Sequence, residues 1–222
     1  MKTIGIVVAM NRESGLLELF RNHTREIVCG IPFFVFETEK NKVVLTTCGV
    51  GEIAAASATA ILIARYGVDE IVNYGFVGSL KRDLPVNVVV GVTAVVHTDM
   101  DLTAFGNEIG QYDGADFVDF TPSKALTEEI LGKNVYFGKL ASADKFVSDG
   151  KIKTSISQKF NADICDMEGA GIAVCCSRAN VPFSLIKIVV DGIEDDCTQT
   201  FFANSVFGVD GAIRKIADYL VK

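Results

Sequence analysis

Three acidic residues stand where a carboxylate is costly. Glu168 lies in Ile164-Cys165-Asp166-Met167-Glu168-Gly169-Ala170, Asp191 closes Phe183-Ser184-Leu185-Ile186-Lys187-Ile188-Val189-Val190-Asp191, and Glu13 follows the first apolar run of the chain. A carboxylate capping a buried strand is expensive unless something uses its charge. In open α/β sheets, ligands collect at strand ends. Three such groups point to acid/base chemistry on a hydroxylated or nitrogenous small molecule. Taken singly, each also has a plainer reading. Glu13 would be a solvated charge, Asp191 the start of a turn, and Glu168 a partner for a helix dipole.

The elements that must position these acids alternate along the chain. Ile4–Ala9 reads as a strand buried on both faces. Asn11 could cap a helix running to about Arg21, with Leu16, Leu17 and Phe20 on its apolar side. Strands follow at Glu26–Cys29, Phe33–Glu37 and Lys42–Thr47. Gly49-Val50-Gly51 then opens an Ala-rich helix, Glu52 to Arg65, and Asp69–Tyr74 is a strand ending at Gly75-Phe76-Val77-Gly78. After the β-branched run Val86–His97, residues 99–122 read as a long functional loop. The rest alternates: a helix from Ser123, a strand at Val135–Ala141, helices near Gly150–Lys159 and Glu168–Asn180, the strand Phe183–Val190, and a helix at about Phe202–Val221. The expected architecture is a single α/β domain over residues 1–222, a mixed central sheet flanked by helices.

Composition narrows the function classes. Net charge is −7, which disfavours nucleic-acid backbones and polybasic membrane contact. No apolar run is long enough to span a bilayer, and the N-terminus opens directly on a strand pattern with no signal peptide. The six cysteines show neither C-x-x-C spacing nor paired His ligands. They read as reduced core thiols of a cytoplasmic protein, with no metal.

Seven segments in order carry a family resemblance. They are Ile4–Met10 with Glu13, Cys48–Ala56, Asn73–Leu80, Asp99–Gly106, Ala141–Phe146, Asp166–Ala170, and Val181-Pro182-Phe183 leading to Asp191. The chain resembles the nucleoside phosphorylase superfamily and, within it, the 5′-methylthioadenosine/S-adenosylhomocysteine nucleosidases. That resemblance implies hydrolysis of the N-glycosidic bond of a purine nucleoside, without a cofactor. Asp191 would protonate purine N7, a role that asks it to hold a proton, which burial favours. Glu13 would activate the water, and Glu168 would bind the ribose hydroxyls. Met167 would pack on the ribose, Phe146 would stack on the base, and the backbone at Val147 would read its edge. Phe105 would reach the site of a second subunit in a homodimer.

Departures from the family pattern touch the pocket. Phe76-Val77-Gly78-Ser79 replaces a run of small residues, Val190 replaces a hydroxyl residue before the acid, and Lys187 replaces an Arg. Two alternatives stay open. One is a phosphate-dependent purine nucleoside phosphorylase, although Ala9-Met10-Asn11-Arg12-Glu13 offers one Arg and an acid that repels phosphate. The other is a nucleoside-binding module that has lost catalysis.

Overall fold

The computed structural model describes residues 1–193, 204 and 209–222. Among the described residues nine strands form one sheet in the order β2-β3-β4-β1-β5-β8-β7-β6-β9, with β9 also paired to β5. These strands are β1 (Lys2–Val8), β2 (Thr24–Val28), β3 (Ile31–Glu37), β4 (Asn41–Thr47), β5 (Glu70–Ser79), β6 (Val89–His97), β7 (Tyr136–Ser142), β8 (Ile164–Asp166) and β9 (Phe183–Asp191). The return pairing closes β5, β8, β7, β6 and β9 into a ring. Parallel pairs β1–β4, β1–β5, β5–β9, β6–β7 and β7–β8 coexist with antiparallel β2–β3, β3–β4, β5–β8 and β6–β9, so the sheet is mixed.

Among the described residues the helices are α1 (Leu16–Leu19), α2 (Glu52–Tyr66), α3 (Lys124–Leu131), α4 (Gly150–Phe160), α5 (Gly169–Ala179) and α6 (Val209–Val221). Alternation along β1 splits the core. Val7 joins Ala55, Leu62, Ile172 and Ala173 of α2 and α5, whereas Ile4, Ile6 and Val8 join Leu126, Ile130, Ile213 and Ile216 of α3 and α6. β5 and β9 are buried along their whole length, which is why both read as near-continuous apolar runs.

Three sequence expectations change. Residues 11–21 form a 3₁₀ turn at Asn11–Glu13 and the four-residue α1 rather than one helix. The Glu13 carboxylate folds back onto the backbone before it, which breaks the helix path. Gly75, Phe76, Val77 and Gly78 lie inside β5, not beyond it, because β5 keeps pairing with β9 as far as Gly78. The glycines there serve close approach rather than a turn. A Cβ on Gly75 would lie 3.1 Å from Glu13 Oε1. The third change is that Ile164–Asp166 forms a strand of its own. Within 99–122 the structure has a 3₁₀ turn at Thr103–Phe105 and a single bridge from Phe120 to Val95. The expected helix start at Phe202 and Cys197 lie outside the described residues.

Near its C-terminus β9 slips against β5: Val189 faces Val77, but Asp191 faces Gly78, leaving Val190 as an extra residue.

Candidate active site

A cavity of 460 Å³ opens where β1, β5, β8 and β9 deliver their loops and ends. Its wall includes Glu13, Glu168 and Asp191 together with Met10, Val50, Phe76, Phe146 and Met167. The three acids singled out by their placement in the sequence therefore share one chamber.

Glu13 is 2 % exposed, so the solvated-charge reading fails. Its Oε2 accepts the N–H of Ala9 (2.9 Å) and of Met10 (2.8 Å), and its Oε1 accepts the N–H of Phe76 (3.2 Å). Burial raises its pKa above the usual carboxyl range, opposed by those N–H groups and by the Lys187 charge. A base shifted in this direction is better matched to taking a proton near neutral pH.

Glu168 sits between β8 and the first turn of α5. The Gly51 N–H donates to its Oε1 at 3.0 Å, tying it to the loop before α2. Burial and then the charge of Asp166 push its pKa up to about 7. Asp166 itself is paired with the buried Lys187 ammonium at 2.7 Å. Burial works against the Lys187 charge, but Asp166, Glu168 and Glu13 outweigh it and the pKa is raised.

Asp191 ends β9 and is buried. Its Oδ1 receives the ammonium of Lys153, a fully buried residue of α4 that also donates to Gly192 O at 2.8 Å. Burial of the acid was anticipated; a buried cation on it was not. Gly78 makes room for the pair, since a Cβ there would fall 2.9 Å from Asp191 Oδ1 and 3.1 Å from Lys153 Nζ.

The remaining expected residues divide. Met167, Phe146, Phe76, Val77 and Gly78 line the chamber. The side chain of Val147 does not, because it packs with Leu80, Val96 and Ala141. Phe105 lies outside the chamber wall and is 83 % exposed. Val190 points into the apolar core, and its carbonyl accepts Asn204 Nδ2 at 2.9 Å. Sequence reasoning missed Lys153 and the roles of Glu52, Ser142 and Asp166. Lys153 sits in a polar helix beside Lys151, a pattern that reads as a solvated face. Asp166 carried a usable signal, as a second acid two residues before Glu168.

Comparison with known proteins places this geometry. The model of the Phosphorylase superfamily matches residues 3–220. The 5′-methylthioadenosine/S-adenosylhomocysteine nucleosidase of Shewanella piezotolerans is 32 % identical over 206 residues, covering 89 % of this chain and 90 % of the relative. That of Shewanella sediminis is 33 % identical over 207 residues, with 89 % and 90 % covered. Among solved structures, the nucleosidase of Neisseria meningitidis in complex with methylthio-immucillin-A superposes with a TM-score of 0.89 at 27 % identity, covering 100 % of this chain and 99 % of that one. A futalosine hydrolase mutant of Helicobacter pylori has the same fold, with a TM-score of 0.93 at 23 % identity and 99 % of each chain covered. Matched from residue 3 to residue 220 and about a third identical to enzymes of that name, the chain belongs to the 5′-methylthioadenosine/S-adenosylhomocysteine nucleosidases of the phosphorylase superfamily.

Proposed function

We propose that the protein hydrolyses the N-glycosidic bond of 5′-methylthioadenosine, S-adenosylhomocysteine or a related purine nucleoside, releasing the free base and the ribose derivative. The observation that carries this reading is the meeting of Glu13, Glu168 and Asp191 in one cavity with apolar walls. Glu13 takes a proton from water as its oxygen bonds to the anomeric carbon. Glu168 accepts hydrogen bonds from the vicinal ribose hydroxyls, and its charge favours the developing ribosyl cation. The electrons of the breaking C–N bond pass into the purine. The Asp191–Lys153 pair delivers a proton to N7, so the base leaves neutral. The proton held by Glu13 returns through solvent. Phe146 and Phe76 flank the base, and Met167 packs on the ribose.

The chain acts as one domain and as a homodimer in this reading. Support for the dimer comes from apolar side chains left in water: Phe105, Ile53 and Val50 are all exposed, and Val50 also lines the cavity. Phe105 would complete the partner's cavity at the 5′ end. A cytoplasmic location is supported by the thiols, since Cys29, Cys48, Cys165, Cys175 and Cys176 are free.

The test is incubation with 5′-methylthioadenosine, with and without phosphate. Adenine release at equal rates in both is expected. Ribose 1-phosphate as the product, formed only with phosphate, would make the protein a phosphorylase. Tight binding without turnover would make it a binding module.

A further inference from the structure

Glu52 is the first residue of α2, is 5 % exposed and lies outside the cavity wall. Its carboxyl joins two other elements. Oε2 accepts the N–H of Gly171 in α5, and Oε1 meets the hydroxyl of Ser142 at the end of β7. The same Ser142 hydroxyl meets Asp166 Oδ1. A serine hydroxyl has one proton to donate. It serves one of the two carboxyls as donor, and the other must donate to it. One of the two acids is therefore neutral.

Asp166 is the ionised member. The Gly169 N–H approaches both of its oxygens, at 3.2 and 3.1 Å, and the Lys187 ammonium lies on Oδ2 at 2.7 Å. Among the described residues, Glu52 has no ammonium or guanidinium in contact. Burial and the Asp166 charge push its pKa up to about 8, in agreement with the hydrogen-bond count. We propose that Glu52 is a positioning residue acting as a neutral acid: it donates to Ser142, Ser142 donates to Asp166, and Asp166 holds Lys187 toward Glu13 and Glu168.

The proposal rests on the reading of Glu13 and Glu168 as substrate-handling groups. Each link is needed for the next. The backbone that begins with Glu52 is fixed at the same point: Gly51 N–H holds Glu168, and Glu52 N–H donates to Asp144 Oδ1 at 2.7 Å. Loss of the Glu52 proton leaves two carboxylates competing for one hydroxyl. The groups facing that new charge are Asp166 and Glu168 from the β8–α5 segment, Asp144 on the Glu52 backbone N–H and Tyr112 of the long loop, while the ammonium of Lys187 is paired with Asp166 rather than with Glu52. The ribose end then loosens as pH climbs past about 8, and kcat/KM falls through a rising KM.

The test is Glu52→Gln, whose amide reproduces both bonds and cannot ionise. Two readouts are taken. In the ligand-free protein at pH 7, the infrared carbonyl band of a protonated carboxylic acid should be present in wild type and reduced in Glu52→Gln. In kinetics, the alkaline limb of kcat/KM should move up by at least ~1 pH unit, with activity near pH 7 retained. Glu52→Leu, which breaks both bonds, should raise KM at every pH. A wild-type limb in Glu52→Gln, or an unchanged infrared spectrum, overturns the proposal. Failure of Glu52→Gln to fold counts equally against it, because a neutral hydrogen-bonding group should suffice. The infrared readout needs no substrate. A band reduced in Glu52→Gln together with a protein that cleaves no nucleoside would uphold the relay while sinking the nucleosidase reading.

Discussion

At the end of the cavity proposed to take the base, one carboxylate, Asp191, faces one ammonium, Lys153. At the end proposed to take the ribose, three carboxyls, Glu13, Asp166 and Glu168, lie around one ammonium, Lys187, and Glu52 stands behind Asp166 across the Ser142 hydroxyl. The two ends manage charge differently. The base end is balanced ion against ion, as suits a place where a proton must be handed over. The ribose end carries an excess of acid, and burial answers it by raising pKa values instead of adding cations. An excess of negative potential suits the end where the reaction develops positive charge.

The largest expected effect breaks the base end. Asp191→Asn can neither take a proton from Lys153 nor pass one to N7, so turnover should fall by about 10²–10⁴-fold, the usual range for losing a general acid, while ligand binding survives. Calorimetric binding beside steady-state rates checks both halves, and near-normal turnover would return Asp191 to a turn residue. At the other end, Lys187→Met removes the cation that several buried acids share. The loss should be about 3–5 kcal/mol of stability, as for other broken buried pairs. Denaturant unfolding measures it, and a loss below ~1 kcal/mol would mean the acids are already neutral.

A third region, apolar and outside both ends, sharpens the contrast. Phe105→Ala should cost about 1–3 kcal/mol of transition-state binding for nucleosides with an apolar 5′ group and much less for plain adenosine. Unchanged discrimination, or a monomer at micromolar concentration, would end the shared-site reading.

A further effect is on stability against pH. Glu13, Glu52 and Glu168 all have pKa values raised above the ordinary glutamate value of 4.5, the latter two to about 8 and about 7. Between those limits the folded chain binds more protons than the unfolded chain, so stability falls as pH rises. The melting temperature should be higher at pH 5.5 than at pH 8.5, and the slope should flatten in Glu52→Gln. A slope of opposite sign would show that these acids are ionised when folded.

The acids of the site were legible because a carboxylate beside apolar runs and glycines has few structural uses. Their partners were not. Lys153 and Glu52 occur near the starts of helices, where charged residues are normally solvated, and only the packing of α4 and α2 onto the strand ends buries them. The order of strands and helices followed from apolar periodicity, yet β5 was read too short. Gly75 and Gly78 look like turn residues in a sequence, while in space they clear Glu13 and the Lys153–Asp191 pair. The helix expected after Asn11 failed because periodicity does not record a side chain that folds back on its own backbone.

The slip between β5 and β9 gives the site a vernier. In an even ladder Asp191 would stand opposite Ser79, about 3.3 Å further along the strand. The extra residue, Val190, draws it back opposite Gly78. A misplacement of ~1 Å can cost about 10²-fold in rate, so a full step is a large adjustment. The reach of the acid is thus encoded as a difference in residue count between two strands. A one-residue insertion or deletion in either strand resets it, whereas side-chain replacement leaves the count untouched.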